Sequence, residues 1–185
     1  MKKIALAFLC FLATDSMAQV SQDSTISAKE EIEIIEKDTL FIDMAKYKLT
    51  IPNNWKIKAG CTEEQCTANS PQDTLGGFDT YIESINITVN KLSSSSYTAE
   101  KYANFSIGYL PKVVKGFKVL EKKRLNSYSY RVTYTGSKNN IEQTWRQYYH
   151  VRSSKVYIIT FSAQARKYDH YQPIMEPYLA SFKFK

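Results

Sequence analysis

Residues 117–163 are built of strand-length apolar runs separated by short turn signals. Tyr128, Tyr130, Val132 and Tyr134 alternate with polar residues, which is the period of a half-buried strand. A cluster of turn formers follows at 136–140. Ile141–Arg152 is the next run, turning at Ser153-Ser154, and residues 156–163 are almost continuously apolar. Such a run marks a strand near the middle of a sheet with both faces covered. Phe117 and Val119 open a further strand over 117–125, so the second half of the chain is mostly β.

The rest of the chain supplies the other elements. A strand starts within 38–43, and 47–51 alternate up to Pro52-Asn53-Asn54, with Trp55 following. Residues 61–78 read as a loop, with Pro71, Gly76 and Gly77 as breakers. Ile85, Ile87 and Val89 lie on one face of a strand over 82–89. After the serine run 93–96, Thr98 is placed to cap a helix, with Glu100 favourable in its first turn. Tyr102, Phe105 and Tyr109 follow at helical spacing as far as Pro111. A last helix is expected over 169–179, although Pro173 suits only a first turn and Pro177 strains the assignment. Phe182 and Phe184 close the chain as a short strand.

The N-terminus gives an address. Met1-Lys2-Lys3 is basic, residues 4–13 are apolar, and Ser16-Met17-Ala18 places small residues three and one positions before Gln19. That is the layout of a cleavable secretory signal with its scissile bond between Ala18 and Gln19. The apolar run falls well short of the roughly 20 residues of a membrane span. Cys10 is preceded by Leu9 and followed by more apolar residues, so it reads as part of the signal and not as a lipid anchor. The expected organisation is a signal over 1–18, a flexible polar tether over 19–37 and a single domain over 38–185. The expected location is the bacterial periplasm, with no transmembrane segment in the mature chain.

Composition limits the chemistry. With 43% hydrophobic and 23% charged residues the chain can bury an ordinary core, and it needs neither metal nor disulfide to fold. The formal charge of +7 favours anionic partners, but no dense Lys/Arg block marks a nucleic-acid tail, and no nucleic-acid partner is expected. His150 and His170 form no HExxH, and the chain has no GxSxG elbow and no Gly-rich phosphate loop. No catalytic residue, metal site or cofactor is therefore assigned. Glu63-Glu64 reads as a solvated pair in a loop. The fourteen tyrosines fall mostly in strand-like segments, where an apolar ring with a wet hydroxyl suits a half-buried position.

Two residue sets stand out. Cys61 and Cys66 are the cysteines left after signal cleavage, and in an oxidising compartment an even number favours a disulfide. The short loop it closes is worth about 2 kcal/mol in the chain-entropy treatment. Arg146, Tyr148, His150 and Arg152 alternate onto one strand face, while Trp145, Gln147, Tyr149 and Val151 take the other. The first set is a cationic and aromatic row able to meet a carboxylate, phosphate or sulfate. His150 would add charge as pH falls toward about 6.5. The base rate for strand charges favours reading the same row as a solvated sheet face, or as one whose long side chains cover a helix, and the row remains the best candidate ligand site in the sequence.

Three motifs resemble PsbP-like domains. "YKLTIPNNW" at 47–55 resembles their f-x-I-P-x-x-W opening, "IEQTWRQYYHVRSSKVYIITFSA" at 141–163 their paired strands, and "YQPIMEPYLASFKF" at 171–184 their final helix and Ser-Phe strand. The resemblance implies an α+β fold, an antiparallel sheet flanked by helices in an α/β/α sandwich. Relatives include photosystem subunits, a nuclear GTPase-release factor and bacterial envelope proteins, most of which bind or assist assembly. The function expected is thus an exported, non-enzymatic binding or assembly-assisting module whose partner is an envelope protein or an anionic ligand. A small-ligand or anionic-glycan-binding protein using the cationic row is the second reading, and an enzyme of unassigned class the third.

Overall fold

Alternation and turn chemistry determine the architecture of the computed structural model, which describes residues 39–72 and 81–185. The strands are β1 (Thr39–Asp43), β2 (Tyr47–Pro52), β3 (Lys56–Ile57), β4 (Gln65–Asn69), β5 (Ser84–Lys91), β6 (Lys115–Arg124), β7 (Ser129–Lys138), β8 (Ile141–Arg152), β9 (Lys155–Gln164) and β10 (Lys183–Phe184). The helices are α1 (Ala99–Tyr109) and α2 (Tyr168–Ala180). A seven-stranded antiparallel sheet runs in the order β3-β4-β5-β9-β8-β7-β6, and a three-stranded sheet in the order β1-β2-β10. Thr39–Lys185 forms one compact unit. The expected signal (1–18) and tether (19–37) lie outside the described residues.

The near-continuous apolar strand β9 is the middle strand of the seven, between β5 and β8. Its Tyr157, Ile159, Phe161 and Ala163 face one core, with Ile85 and Ile87 of β5, Leu49 and Ile51 of β2, and Met175 and Leu179 of α2. Its other face joins a second core of Tyr130, Val132 and Tyr134 of β7, Trp145 and Tyr149 of β8, and Ala99 and Ala103 of α1. The sheet is thus covered by α1 on one side and by α2 with the small sheet on the other. Burying one aliphatic or aromatic side chain of this kind stabilises the fold by roughly 1.5–3 kcal/mol.

The two tight hairpins carry positive φ at both central residues, Asn139-Asn140 (55° and 62°) and Ser153-Ser154 (51° and 56°). That is the backbone twist that joins antiparallel strands without splaying them. Gly136 was expected in the first turn but lies inside β7. A Cβ there would stand 2.5 Å from Val114 Cγ1 and 2.9 Å from the Lys115 carbonyl oxygen, so only glycine permits this approach.

Two other expectations are corrected, and the last helix forms where expected. Residues 61–78 are not all loop, because β4 pairs with β5 from Gln65↔Thr88 to Asn69↔Ser84 and buries Cys66 and Ala68. Its residues are small or polar and only Thr67 is β-branched, so the sequence carries no large apolar alternation there; residues 73–80 lie outside the described set. On α1, Thr98 caps as expected, its hydroxyl accepting from the Lys101 amide at 3.1 Å. The buried side chains, however, are Ala99 and Ala103, and Phe105 and Tyr109 are 66% and 54% exposed. α2 runs through both Pro173 and Pro177. The two prolines are four residues apart and exposed, on the face opposite Tyr168, Met175 and Leu179. The carbonyls that lose a helical donor there can reach water, which lowers the usual penalty.

Candidate functional site

Alternation along β8 turns Arg146, Tyr148, His150 and Arg152 toward α2 and the small sheet, and Trp145, Tyr149 and Val151 toward α1. Gln147, on the α1 side, donates to Thr160 Oγ1 at 3.0 Å. The row divides into three environments from one end to the other.

Arg146 is 9% exposed and belongs to a charge network rather than a solvated face. Its guanidinium meets Glu176 of α2 and lies 3.6 Å from Glu121 of β6, and its Nε donates to Thr133 Oγ1 at 3.3 Å. Arg131 of β7 bridges the same two carboxylates, at 2.6 Å to Glu176 and 2.8 Å to Glu121. The Tyr148 hydroxyl donates to Glu176 Oε1 at 2.7 Å. Two guanidiniums and two carboxylates cancel. Burial alone would raise Glu176, but the Tyr148 hydrogen bond and the charges of Arg146 and Arg131 outweigh it and hold the carboxyl below its usual range. Glu121 is likewise lowered, burial being opposed by the hydrogen bond and charge of Arg131 and the charge of Arg146. Arg146 therefore clamps α2 to the sheet and offers its charge to a ligand only if Glu176 and Glu121 move.

His150 is 8% exposed and stacks on Phe182 at 4.6 Å between ring centroids. Its Nδ1 lies 2.7 Å from Ser129 Oγ, and its buried Nε2 has no hydrogen-bond partner. Burial pushes its pKa down to about 4. The expectation that it gains charge near pH 6.5 is corrected: among apolar rings, with no acceptor at Nε2, the imidazolium is disfavoured.

Arg152 is exposed at the end of β8, its guanidinium 5.0 Å from the Phe184 ring centroid. It lines a cleft of about 330 Å³ with Lys46, Lys155, Tyr157, Phe184 and Lys185. Three unrelated stretches meet there: the β1–β2 turn, the β8–β9 hairpin and β10. The hydrogen bond from the Lys185 amide to the Lys46 carbonyl (3.0 Å) and the pairing Phe184↔Tyr47 hold the C-terminal strand beside β2. Lys185 is paired with Asp43, whose carboxyl is lowered by that hydrogen bond. Glu63 lies near the cleft, accepting from the Ala45 amide. Lys46, Arg152 and Lys155 have no carboxylate partner among the described residues. Sequence reasoning found Arg152 but missed Lys46 and Lys155, because the first is remote in the chain and the second lies across the turn.

The expected disulfide is present between Cys61 and Cys66, with Cα atoms 4.4 Å apart. It joins the edge of β4 to the loop before it. Among the described residues, no helix is long and apolar enough to cross a membrane.

No protein-family model and no curated protein sequence matches the chain. Its likeness to known proteins is structural. LpqN of Mycobacterium tuberculosis, described as involved in cell envelope biogenesis, superposes with TM-score 0.58 at 15% identity, over 83% of this chain and 96% of LpqN. Cyanobacterial PsbP from Synechocystis sp. PCC 6803 gives 0.55 at 12% identity, over 80% and 93%. PA94 of Pseudomonas aeruginosa, a protein of unknown function, gives 0.54 at 16%, over 75% and 92%. At these identities the likeness is one of fold. The fold is PsbP-like, an α+β arrangement of antiparallel sheet and two helices, as the three sequence motifs implied.

Proposed function

We propose that this protein is an exported, non-enzymatic binding module of the bacterial cell envelope. Its site is the cleft at the Arg152 end of β8, where it takes an anionic group carried by a ligand or an envelope partner. The observation that carries the reading is the convergence of Lys46, Arg152 and Lys155 on one concavity beside two aromatic rings, while Arg131, Arg146 and Lys185 are paired with carboxylates. Cations without partners beside aromatic faces suit phosphate or carboxylate recognition. The signal-like N-terminus supports export, and the description of LpqN supports an envelope setting. Arg146 and Tyr148 act here as positioning residues, fixing α2 and, through it, the C-terminal strand.

Glycerol 3-phosphate titrated by calorimetry at low ionic strength tests this. The wild type binds, and binding weakens as salt rises toward 0.15 M, where screening acts within about 8 Å. Arg152→Glu/Lys155→Glu should lower affinity by more than about tenfold, with circular dichroism unchanged because both residues lie on a hairpin rim. Equal affinity for the variant, or no binding by the wild type, overturns the assignment.

A further inference from the structure

Arg152 and Phe184 line a second concavity, of about 340 Å³, on the other side of the ridge they form. Its remaining walls are Tyr128 and Val151, so it is apolar where the first is cationic. Tyr128 is 50% exposed and is fixed in place because the Val151 amide donates to its carbonyl at 2.9 Å. Leu125, 38% exposed, lies on the same β6–β7 turn as Tyr128. The guanidinium of Arg152 lies over the Phe184 ring, and both side chains line both clefts, so the ridge joins a cationic wall to an aromatic one.

We propose that the two clefts form one site for an amphiphile, a phosphate-headed lipid bound as a single molecule. The phosphate lies against Lys46, Arg152 and Lys155, and the first part of the acyl chain crosses the ridge into the Tyr128–Val151–Phe184 trough. The inference rests on the anion-binding reading above and adds the apolar half of the ligand. Charge complementarity fixes the orientation: Asp43 and Glu63 are the carboxylates near the cationic cleft, one paired with Lys185 and the other accepting from a backbone amide. Of the residues lining the trough, Tyr128, Val151 and Phe184 are uncharged, and Arg152, shared with the cationic cleft, is the charged one. Two concave walls favour an extracted molecule over a flat bilayer.

The test compares dihexanoyl phosphatidylglycerol, kept monomeric, with glycerol 3-phosphate and dihexanoyl phosphatidylcholine, by calorimetry on the mature protein. The anionic lipid should bind at least about tenfold tighter than glycerol 3-phosphate, the gain expected from burying a few methylenes. It should also bind tighter than the choline lipid. Tyr128→Ser should remove most of that gain and leave glycerol 3-phosphate affinity within about twofold, whereas Arg152→Ala/Lys155→Ala should weaken both. Equal affinity for the anionic lipid and glycerol 3-phosphate overturns the amphiphile inference and leaves the anion site standing. Loss of both overturns both. Equal affinity for the choline lipid, or binding to phosphatidylglycerol vesicles without binding to the monomeric lipid, also overturns it.

Discussion

His150 should make the fold lose stability in mild acid, before the carboxylates titrate. The perturbation is protonation of an imidazole enclosed by Ser129, Tyr148, Phe182 and Phe184, a set that brings no carboxylate to the ring. Its folded pKa lies at about 4, below the reference 6.5. The unfolded chain therefore takes up the proton first as pH falls. Stability is fully present above pH 6.5 and is lost between 6.5 and 4. One pH unit corresponds to about 1.4 kcal/mol, which gives about 2 kcal/mol lost between pH 7.5 and pH 5 and about 3 kcal/mol in all. Urea denaturation at pH 7.5, 6.5, 5.5 and 5 reads the loss as a falling midpoint. His150→Phe keeps the ring stack on Phe182 and removes the titration. Its absolute stability at pH 7.5 will differ through the lost Ser129 contact, so the slope with pH is the readout. Wild type and variant losing stability in parallel, within about 0.5 kcal/mol over that range, would refute the argument.

Other perturbations follow from the same structure. Glu176→Ala leaves two guanidiniums, each with 11% side-chain exposure, sharing Glu121 alone. Removing one partner of a buried pair costs about 3–5 kcal/mol, and the 32% exposure of Glu176 brings the expected loss to about 2–3 kcal/mol in urea unfolding. Because Glu176 and Glu121 are lowered, their contribution is present above their unfolded values near 4.5 and is lost as pH falls through the lower folded values; Glu176→Gln should therefore flatten the stability profile below about pH 4.5. Cys61→Ser/Cys66→Ser should remain folded and lose only about 2 kcal/mol, since the bridge closes a short loop at the sheet edge. Intact-mass analysis of the exported protein should show a chain starting at Gln19 without lipid, and a diacylated species or retained residues 1–18 would contradict the signal assignment.

The strands were legible where one side chain in two is large and apolar. Tyr130, Val132 and Tyr134, and the run from Val156 to Ala163, declare both period and depth of burial. β4 was not legible, because Cys66 and Ala68 are small and their neighbours polar, so burial comes from the strands around them. α1 misled in a related way: helical spacing of Tyr102, Phe105 and Tyr109 is real, yet the close packing of helix on sheet selects Ala99 and Ala103. For the site, alternation placed Arg146, Tyr148, His150 and Arg152 on one face, but alternation does not say what covers that face. Glu121 and Glu176 come from an edge strand and the last helix, too distant in sequence to be paired with Arg131 and Arg146 by eye. Lys46 reaches Arg152 only because β10 returns to β2.

Chemical-shift mapping tests the central claim most directly. With amide resonances assigned, glycerol 3-phosphate is titrated into the mature protein at low salt. Shifts should concentrate at Lys46, Arg152, Ser153, Lys155 and Phe184, spare the Arg131–Arg146–Glu176 network and the exposed face of α1, and vanish in Arg152→Glu/Lys155→Glu. Shifts centred elsewhere, or persisting undiminished in that variant, would show that the protein's binding surface is not this cleft.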